Sequence, residues 1–303
     1  MTTWSTPNLS SMTIADARQF AVQRLLGSHA DRNEALLCAR LLLDEVVSTP
    51  HAHLTIPERE LSTSQETQFE TALSELEKGR PLAYVLGKRS FYNLSFRSDE
   101  RALIPRPETE LLVEAALLKL EAANSQTRSF KVADLGTGSG CIAISLAHAL
   151  PQSQIYATDI SPEALSLARE NAQAAAVESQ LHFIPGTENN WAQPLLEYSH
   201  RFDVIVSNPP YIARKEIETL QREVRDFEPR RALDGGEDGL DCYRQIAAQC
   251  GVLLRPNGAL LCELGAGQFG EVRAIFEDYS WRVENPILDF AGIQRVLVAQ
   301  RNP

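Results

Sequence analysis

"DLGTGSGCIAI", residues 134–144, is the segment most indicative of the fold, because an apolar strand turns into a helix there through alternating glycines. Glycine has no Cβ, so the backbone of such a loop can approach a bound ligand closely. Dinucleotide-binding loops read G-x-G-x-x-G/A, and counting from Gly136 the last position of that pattern is Cys141, so it fails here. The pattern is D-x-G-x-G-x-G, which predicts a ligand loop of another kind.

Apolar strands and helical segments alternate along the chain on both sides of this loop. Such alternation predicts an α/β fold with a parallel sheet covered by helices on both faces. In sheets of this type, ligands bind outside the carboxyl ends of the strands. The predicted strands include "FKVADLG" (130–136), "QIYATDI" (154–160), "LHFIPG" (181–186), "FDVIVSN" (202–208), "GALLCELG" (258–265) and "RVLVAQR" (295–301).

The first part of the chain has a different pattern, in which apolar residues recur at helical spacing. Three amphipathic segments begin near Thr13, Asn33 and Ser62, and the first and third of them open with capping-box spacing. "FYNLSF" (91–96) then predicts a hairpin. We therefore predict a small N-terminal helical bundle over 1–85, a β-hairpin linker over 86–110 and a catalytic domain over 111–303.

Composition limits the kind of partner. The 303 residues carry a net charge of −11, without the positive footprint of most proteins that grip a nucleic-acid backbone. The five cysteines form no C-x-x-C pair, which favours a reducing compartment and predicts no metal site. "MTTWSTPNLSSM" (1–12) resembles no secretory signal, and no run of 18 apolar residues occurs. These observations predict a cytoplasmic protein with no membrane span and no direct nucleic-acid partner.

Asp159 ends the strand that follows the glycine loop. An acidic side chain at this place can accept hydrogen bonds from both hydroxyls of a ribose. Ser161 and Pro162 then start the next helix as its cap and first residue. Asp159 is therefore a candidate ribose ligand, although a ribose alone does not separate S-adenosylmethionine from a nicotinamide cofactor.

"SNPPYIA", residues 207–213, follows a buried strand with two prolines, which stop the strand and fix the backbone of a turn. The glycine loop resembles motif I of the class I S-adenosylmethionine-dependent methyltransferases, and "NPPY" resembles motif IV of those that modify planar nitrogens. The resemblance implies that the Asn208 side-chain oxygen and the Pro209 carbonyl each accept one N–H of the substrate. Tyr211 would stack on the planar group.

The resemblance extends over essentially the whole chain, through "LIPRPETELLVE", "DLGTGSGCIAISLA", "VSNPPYI", "DFEPRRALDGGEDGLDCYRQI" and "LLCELGAGQ". These segments are similar to those of the HemK-type protein glutamine methyltransferases, and the "LIPRPETE" form favours their release-factor branch. That implies methyl transfer to the Gln of the Gly-Gly-Gln motif in bacterial class I peptide chain release factors, a step of translation termination. It also implies that the N-terminal bundle docks the release factor.

The family pattern also implies the site residues. S-adenosylmethionine, with S-adenosylhomocysteine as product, would contact the glycine loop, Asp159, Asn208 and a residue near the adenine, for which the chain offers Asn190 and Trp191 and we predict Trp191. The loop residues are Gly136, Thr137, Gly138, Ser139 and Gly140, and the substrate-binding residues are Asn208, Pro209, Pro210 and Tyr211. Arg106 and Glu108 of "IPRPET" fit an ion pair and a pocket equally well. The charges of "DFEPRRAL" (226–233) are expected to be solvated at the site edge.

Three alternatives remain open from the sequence. A related HemK-type enzyme, which methylates a Gln of a large-subunit ribosomal protein, is the main alternative. A DNA adenine methyltransferase also carries "NPPY", although it needs a basic groove that the acidic composition does not predict. A catalytically silent S-adenosylmethionine-binding module needs neither Asn208 nor Tyr211, and both are present.

Overall fold

The structure is a computed structural model that describes residues 12–27, 31–122 and 129–301. Most of "MTTWSTPNLSSM", on which the absence of a secretory signal is predicted, therefore lies outside the described residues. The chain divides into two compact units, Met1–Gly87 and Lys88–Pro303. The hairpin that we expect to act as a linker is built into the second unit.

The first unit is helical, which confirms the prediction for this region. Thr13 and Asp16 cap the first helix reciprocally, with Asp16 N donating to Thr13 Oγ1 at 3.1 Å. Ser62 and Gln65 form the second predicted capping box. Apolar faces of these helices pack together around Phe69. The helices are α1 (Ile14–Gly27), α2 (Arg32–Val46), α3 (Ala52–Thr55), α4 (Thr63–Glu77) and α5 (Leu82–Leu86).

The second unit begins with the predicted hairpin, formed by β1 (Lys88–Phe91) and β2 (Leu94–Arg97). Tyr92 and Asn93 both have positive φ, 47° and 61°, as a two-residue turn requires when it matches the right-handed twist of the strands. Phe91 and Phe96 meet edge to face at 5.9 Å between ring centroids and are buried. The hairpin is confirmed, and its aromatic residues belong to the core of this unit.

Strands and helices alternate through the rest of the chain. They are α6 (Glu110–Ala122), β3 (Lys131–Leu135), α7 (Cys141–Ala149), β4 (Gln154–Asp159), α8 (Pro162–Ala174), β5 (Leu181–Pro185), β6 (Phe202–Ser207), α9 (Arg222–Phe227), α10 (Asp241–Gln249), β7 (Leu254–Glu263), α11 (Phe269–Asp278), β8 (Trp281–Val283), β9 (Ile287–Leu288) and β10 (Gln294–Arg301). This order confirms the α/β class predicted from the alternation of patterns.

The strand order in the sheet is β5-β4-β3-β6-β7-β10-β8, with β9 paired to β10. The five strands from β5 to β7 are parallel, as predicted. β10 is antiparallel to both of its neighbours, which the strand pattern did not predict. The reason is the connection: β8 reaches β10 through a short segment that contains β9, and a parallel return needs a longer crossover.

The two faces of the sheet bury separate clusters, because successive side chains of a strand point to opposite sides. Val132 and Val204 face one cluster with α6 and α7, whereas Ala133 and Ile205 face the other with α10 and α11. Helices therefore cover both faces, and the carboxyl ends of β3, β4, β6 and β7 are left to form one edge.

A buried amide joins the hairpin to the glycine loop. Asn171 of α8 accepts from the backbone N–H of Arg97 at 2.8 Å and donates to the Arg97 carbonyl at 3.2 Å. The same Nδ2 donates to the carbonyl of Ser139 at 2.9 Å. Since Asn171 is 2% exposed, these bonds are shielded from water, and β2 is fixed relative to the loop after β3.

Candidate active site

A cavity of about 1070 Å³ lies at the carboxyl edge of the parallel strands. It is lined by residues 136–139 of the glycine loop after β3, by Asp159 after β4, by residues 186–191 after β5 and by Asn208 after β6, whereas Gly140 of the loop is not part of the lining. The segments 100–106 and 229–236 complete its wall. The edge predicted to bind a ligand is therefore concave, and most of the predicted site residues lie on it.

The glycine loop adopts a conformation that requires glycine. Gly136, Gly138 and Gly140 all have positive φ, at 73°, 55° and 82°, which is the region that favours glycine. A Cβ on Gly140 would lie 2.9 Å from Ile144 Cδ1 and 3.1 Å from Ala168 Cβ. The loop is held to the next strand, since Gly136 N and Thr137 N both donate to the Thr158 carbonyl, at 2.9 and 2.8 Å.

Asp134 anchors the base of this loop. Its Oδ2 accepts from Thr137 Oγ1 at 2.6 Å and from Ala143 N at 3.2 Å. Its Oδ1 is buried and has no hydrogen-bond partner among the described residues. Burial raises the pKa of Asp134 to about 7. Asp134 thus ties the loop to the first turn of α7.

Asp159 connects the loop to the start of α8. Its Oδ2 accepts from Gly138 N at 2.8 Å, and its Oδ1 accepts from Ser161 N at 2.9 Å. Each carboxylate oxygen has two lone pairs, so capacity remains for two further donors. Burial raises the pKa of this carboxyl, and backbone hydrogen bonds oppose the rise. The arrangement suits a pair of ribose hydroxyls.

Trp191 lies against the glycine loop and lines the cavity. A Cβ on Gly136 would lie 3.3 Å from Trp191 Cζ3. The indole Nε1 donates to Gln245 Oε1 at 3.0 Å, and Gln249 Oε1 accepts from the Trp191 backbone N–H at 2.8 Å. Asn190 also lines the cavity, but its Oδ1 already accepts from Gln193 N at 2.9 Å.

Asn208 is placed by the strand that precedes it. Ser207 pairs with Leu135 in the parallel register, and its hydroxyl donates to the Leu135 carbonyl at 2.7 Å. The end of β6 is thus held beside the start of the glycine loop. Asn208 Nδ2 donates to Thr109 Oγ1 at 3.2 Å, which directs its Oδ1 away from Thr109. Asn208 lines the cavity.

The other residues of "NPPY" have different surroundings. Pro210 lines the cavity, whereas Pro209 is buried and Tyr211 packs partly buried against the core between the sheet, α10 and α11. The Tyr211 carbonyl accepts from Gln268 Nε2 at 2.9 Å. Burial raises the pKa of Tyr211 to about 12, so its hydroxyl is protonated at neutral pH. Tyr211 and Pro209 are not among the residues that line the cavity.

The "IPRPET" segment contributes an ion pair and a wall of the pocket together. Arg106 Nη2 bonds Glu228 Oε1 at 2.6 Å, and Glu228 also accepts from Ile104 N at 3.2 Å. Arg106 lines the cavity as well, so both sequence interpretations apply to it. Glu228 is 5% exposed, so the expectation that the charges of residues 226–233 are solvated is wrong for this carboxylate. The arginine partner compensates the burial of its charge.

The sequence did not point to Thr109, which lines the cavity, or to Glu263, a buried carboxyl near Thr109. Thr109 is 2% exposed and holds Asn208, whereas Glu263 ends β7 and is also 2% exposed. "LLCELG" did show a carboxylate at the end of an apolar strand, which was the available signal. No spacing rule connects Thr109 to Asn208, because their contact depends on how α6 packs on the sheet.

Comparisons with known proteins give a consistent result. Residues 109–227 match the Methyltransferase small domain, and residues 16–87 match the PrmC N-terminal domain. The chain is 39% identical over 291 residues to a release factor glutamine methyltransferase of Koribacter versatilis, with 96% of this chain and 99% of the relative covered. A relative of the same name from Cereibacter sphaeroides is 40% identical over 291 residues, with 95% and 99% covered.

Solved structures agree on the fold. The hMettl16 catalytic domain in complex with MAT2A 3′UTR hairpin 1 superposes with a TM-score of 0.56 at 14% identity, covering 93% of this chain and 91% of that one. Within the described ranges, no group of three or more His, Cys, Asp or Glu side chains is placed to hold a metal ion. Nor does any helix in those ranges have the length and apolar character needed to cross a bilayer.

Proposed function

The chain belongs to the release factor glutamine methyltransferases, and we propose that it methylates the Gly-Gly-Gln glutamine of bacterial class I peptide chain release factors. The methyl group would go to the side-chain amide nitrogen of that Gln. The family and the methyltransferase domain establish the coarser activity, an S-adenosylmethionine-dependent protein glutamine methyltransferase. The choice of the Gly-Gly-Gln loop is the proposed step.

S-adenosylmethionine is the methyl donor of this fold, and the residues at the cavity fit it. The glycine loop leaves room that a Cβ would fill, and Asp159 keeps lone pairs for two hydroxyl donors. We assign the cofactor to residues 136–140, Asp159 and Trp191, with Asn208 next to it. When bound, S-adenosylmethionine supplies an electrophilic methyl group on a sulfonium sulfur.

The observation that carries the proposal is the orientation of Asn208. An amide nitrogen is a poor nucleophile because its lone pair is delocalised into the carbonyl. Asn208 lines the cavity with Nδ2 engaged by Thr109, so its Oδ1 is left as an acceptor. We assign Oδ1 to one N–H of the substrate amide and the Pro209 carbonyl to the other. Both hydrogens would then be held and the nitrogen lone pair left free for methylation, which would release S-adenosylhomocysteine and one amide proton.

Tyr211 and Pro210 complete the proposed substrate contacts. We assign Tyr211 to the planar face of the glutamine amide, although its ring packs against the core and does not line the cavity, and we assign Pro210, which does line it, to the rim of the pocket. The N-terminal unit, which matches the PrmC N-terminal domain, is assigned to docking of the release factor. The enzyme would act in the cytoplasm, where translation terminates.

Labelling of purified release factor with radioactive S-adenosylmethionine tests the proposal. We expect incorporation into the wild-type release factor and none into a variant whose Gly-Gly-Gln motif carries Ala in place of Gln. The Asn208→Ala enzyme should bind S-adenosylhomocysteine and label the wild-type release factor far more slowly. Labelling of the Ala variant at wild-type rate would contradict the assignment to this Gln.

The same assay separates the alternatives. Labelling of a large-subunit ribosomal protein, with no labelling of release factor, would assign the enzyme to the ribosomal-protein branch. Labelling of adenine-containing DNA alone would assign it to the DNA amino-methyltransferases. Binding of S-adenosylhomocysteine with no transfer to any of these substrates would indicate a silent binding module.

A further inference from the structure

Thr109 lies between Asn208 and a carboxyl group for which the proposed mechanism has no use. Its hydroxyl accepts from Asn208 Nδ2 at 3.2 Å, and the same hydroxyl lies near the Glu263 carboxyl and lowers the pKa of that group. Thr109 and Glu263 are each 2% exposed. Glu263 Oε2 has no hydrogen-bond partner among the described residues. A buried carboxyl with spare acceptor capacity needs a physical reason.

The hydrogen-bond donors and acceptors of Asn208, Thr109 and Glu263 determine the direction of each bond. A hydroxyl has one proton and two lone pairs, and an ionised carboxylate only accepts. Glu263 as carboxylate therefore takes the proton of Thr109, which leaves a lone pair of Thr109 for Asn208. An amide can offer either NH₂ or oxygen to a neighbour, and a lone pair selects NH₂. Asn208 is then held with Oδ1 toward the cavity.

We propose that Thr109 and Glu263 are positioning residues for methyl transfer, in which the Glu263 carboxylate orients the Thr109 hydroxyl and thereby fixes the Asn208 side-chain amide. The inference rests on the proposed function, because it assumes that Asn208 Oδ1 accepts from the substrate amide. It gives the "IPRPET" segment a role in the reaction, through the Thr109 that ends it.

The two arginines near Glu263 are each paired with another carboxylate, so Thr109 is the neighbour on which Glu263 acts. Arg295 of β10 lies near, but its guanidinium pairs with Asp289 at 2.9 Å. Arg106 also lies near and pairs with Glu228 at 2.6 Å. The further groups that interact electrostatically with Glu263 are Glu108 beside α6, Tyr211 after β6, Tyr243 of α10 and Cys141 of α7.

Protonation of Glu263 should weaken the hydrogen bonding that orients the Asn208 amide. Burial raises the pKa of Glu263 to about 7, with Thr109 and Arg295 opposing the rise. A protonated carboxyl can donate to Thr109, whose own proton is then free to face Asn208. The reversed amide, with Nδ2 toward the cavity, becomes equally well bonded and presents a donor to the substrate N–H. The rate constant kcat should therefore fall as pH drops through about 7.

Three variants measured on the full-length enzyme with release factor test this inference. Thr109→Val keeps the shape of the side chain, and we expect kcat to fall about 10- to 100-fold through misorientation of Asn208. Thr109→Ser, the matched control, keeps the hydroxyl and should stay within about threefold of wild type. S-adenosylhomocysteine affinity and the thermal midpoint Tm of each variant show whether the fold and the cofactor site are intact.

Glu263→Gln adds a readout that a merely structural role would not move. Its Oε1 can still accept from Thr109, but its NH₂ can also donate, so we expect kcat to fall about 3- to 10-fold at pH 8. The fall in kcat below neutral pH should disappear in this variant. Persistence of the wild-type inflection in Glu263→Gln would overturn the assignment, because the titrating group would then lie elsewhere.

The outcomes separate this inference from the proposed function. If Asn208→Ala loses activity while Thr109→Val keeps wild-type kcat, the positioning role of Thr109 is wrong and the role of Asn208 stands. If Asn208→Ala keeps wild-type kcat, the role of Asn208 and the positioning inference both fail. Loss of activity in Thr109→Val that Thr109→Ser shares equally would also overturn it, since the hydroxyl would not be the group that matters.

Discussion

The two halves of the cavity are built from different parts of the chain. On the side of β3 and β4, the backbone makes the site: three glycines with positive φ form the loop, and a backbone N–H holds Asp159. On the side of β6 and β7, side chains make it, with Asn208 held by Thr109. If the proposed assignments hold, main chain binds a cofactor that many enzymes share, whereas side-chain hydrogen bonds serve the step that is specific to the substrate.

The largest expected effect lies in the side-chain half. Asn208→Ala removes the acceptor for one substrate N–H, and we expect kcat to fall about 10²- to 10³-fold, as for loss of one preorganised hydrogen bond at a reacting group. S-adenosylhomocysteine affinity, measured by calorimetry, should change little. Equal losses in kcat and in S-adenosylhomocysteine affinity would mean that Asn208 also maintains the cofactor site, and the division of the cavity into two halves would be wrong.

Asp159 is the exception within the backbone half, because its contribution comes from a side chain. Asp159→Ala removes the proposed acceptors for the ribose and frees Gly138 N and Ser161 N. We expect S-adenosylhomocysteine affinity to fall about 10- to 100-fold, the size of charged hydrogen bonds. Glu178→Ala, on an exposed turn before β5, is the control and should bind as wild type. An unchanged dissociation constant for Asp159→Ala would exclude it as a ribose ligand.

Gly136→Ala tests how strongly cofactor affinity depends on the close contact between the glycine loop and Trp191. The added Cβ lies 3.3 Å from Trp191 Cζ3, so the indole must shift. We expect S-adenosylhomocysteine affinity to fall about tenfold, corresponding to about 1.4 kcal/mol. Gly292→Ala is the matched control, because Gly292 also has positive φ, 78°, and its added Cβ meets nothing within 4 Å. Both variants should lose similar thermal stability, and a similar loss of affinity in both would contradict the role of Trp191.

The smallest effect concerns stability in the side-chain half. The pKa of Glu263 is raised from 4.5 to about 7, so the folded protein binds this proton more tightly than the unfolded chain does. Its contribution to the free energy of unfolding therefore falls as pH rises from about 4.5 to about 7. Glu263→Gln should raise Tm at pH 8 by about 2–4 °C, with the difference vanishing near pH 4. A pH-independent difference in Tm would show that Glu263 titrates normally.

The effects of Glu263→Gln on Tm and on kcat are expected to have opposite signs. Glu263→Gln is expected to be more stable and less active than wild type, which is the pattern of a strained functional group. No comparable substitution is expected on the glycine side, where the conformation of the loop and its ligand contacts come from the same backbone.

The backbone half could be predicted from sequence because its signals are local. Alternating glycines after an apolar strand fix the loop, and strand-end logic places Asp159 and Asn208 on the same edge. Thr109 and Glu263 could not be placed, because they meet through the packing of α6 on the end of β7, far apart in the chain. The antiparallel direction of β10 could not be predicted either, since it depends on the short segment after β8 and not on the pattern of β10 itself.

Asn171 has a consequence for how this enzyme can be recombined with others. Its side-chain amide hydrogen-bonds both backbone groups of Arg97 and the carbonyl of Ser139, so one buried side chain holds the hairpin and the glycine loop together. A chimera that exchanges the N-terminal helices should therefore be cut between Gly87 and Lys88, the boundary between the two units. A cut after the hairpin would import a foreign β2 and disturb the glycine loop, although Arg97 and Ser139 lie 42 positions apart in the chain.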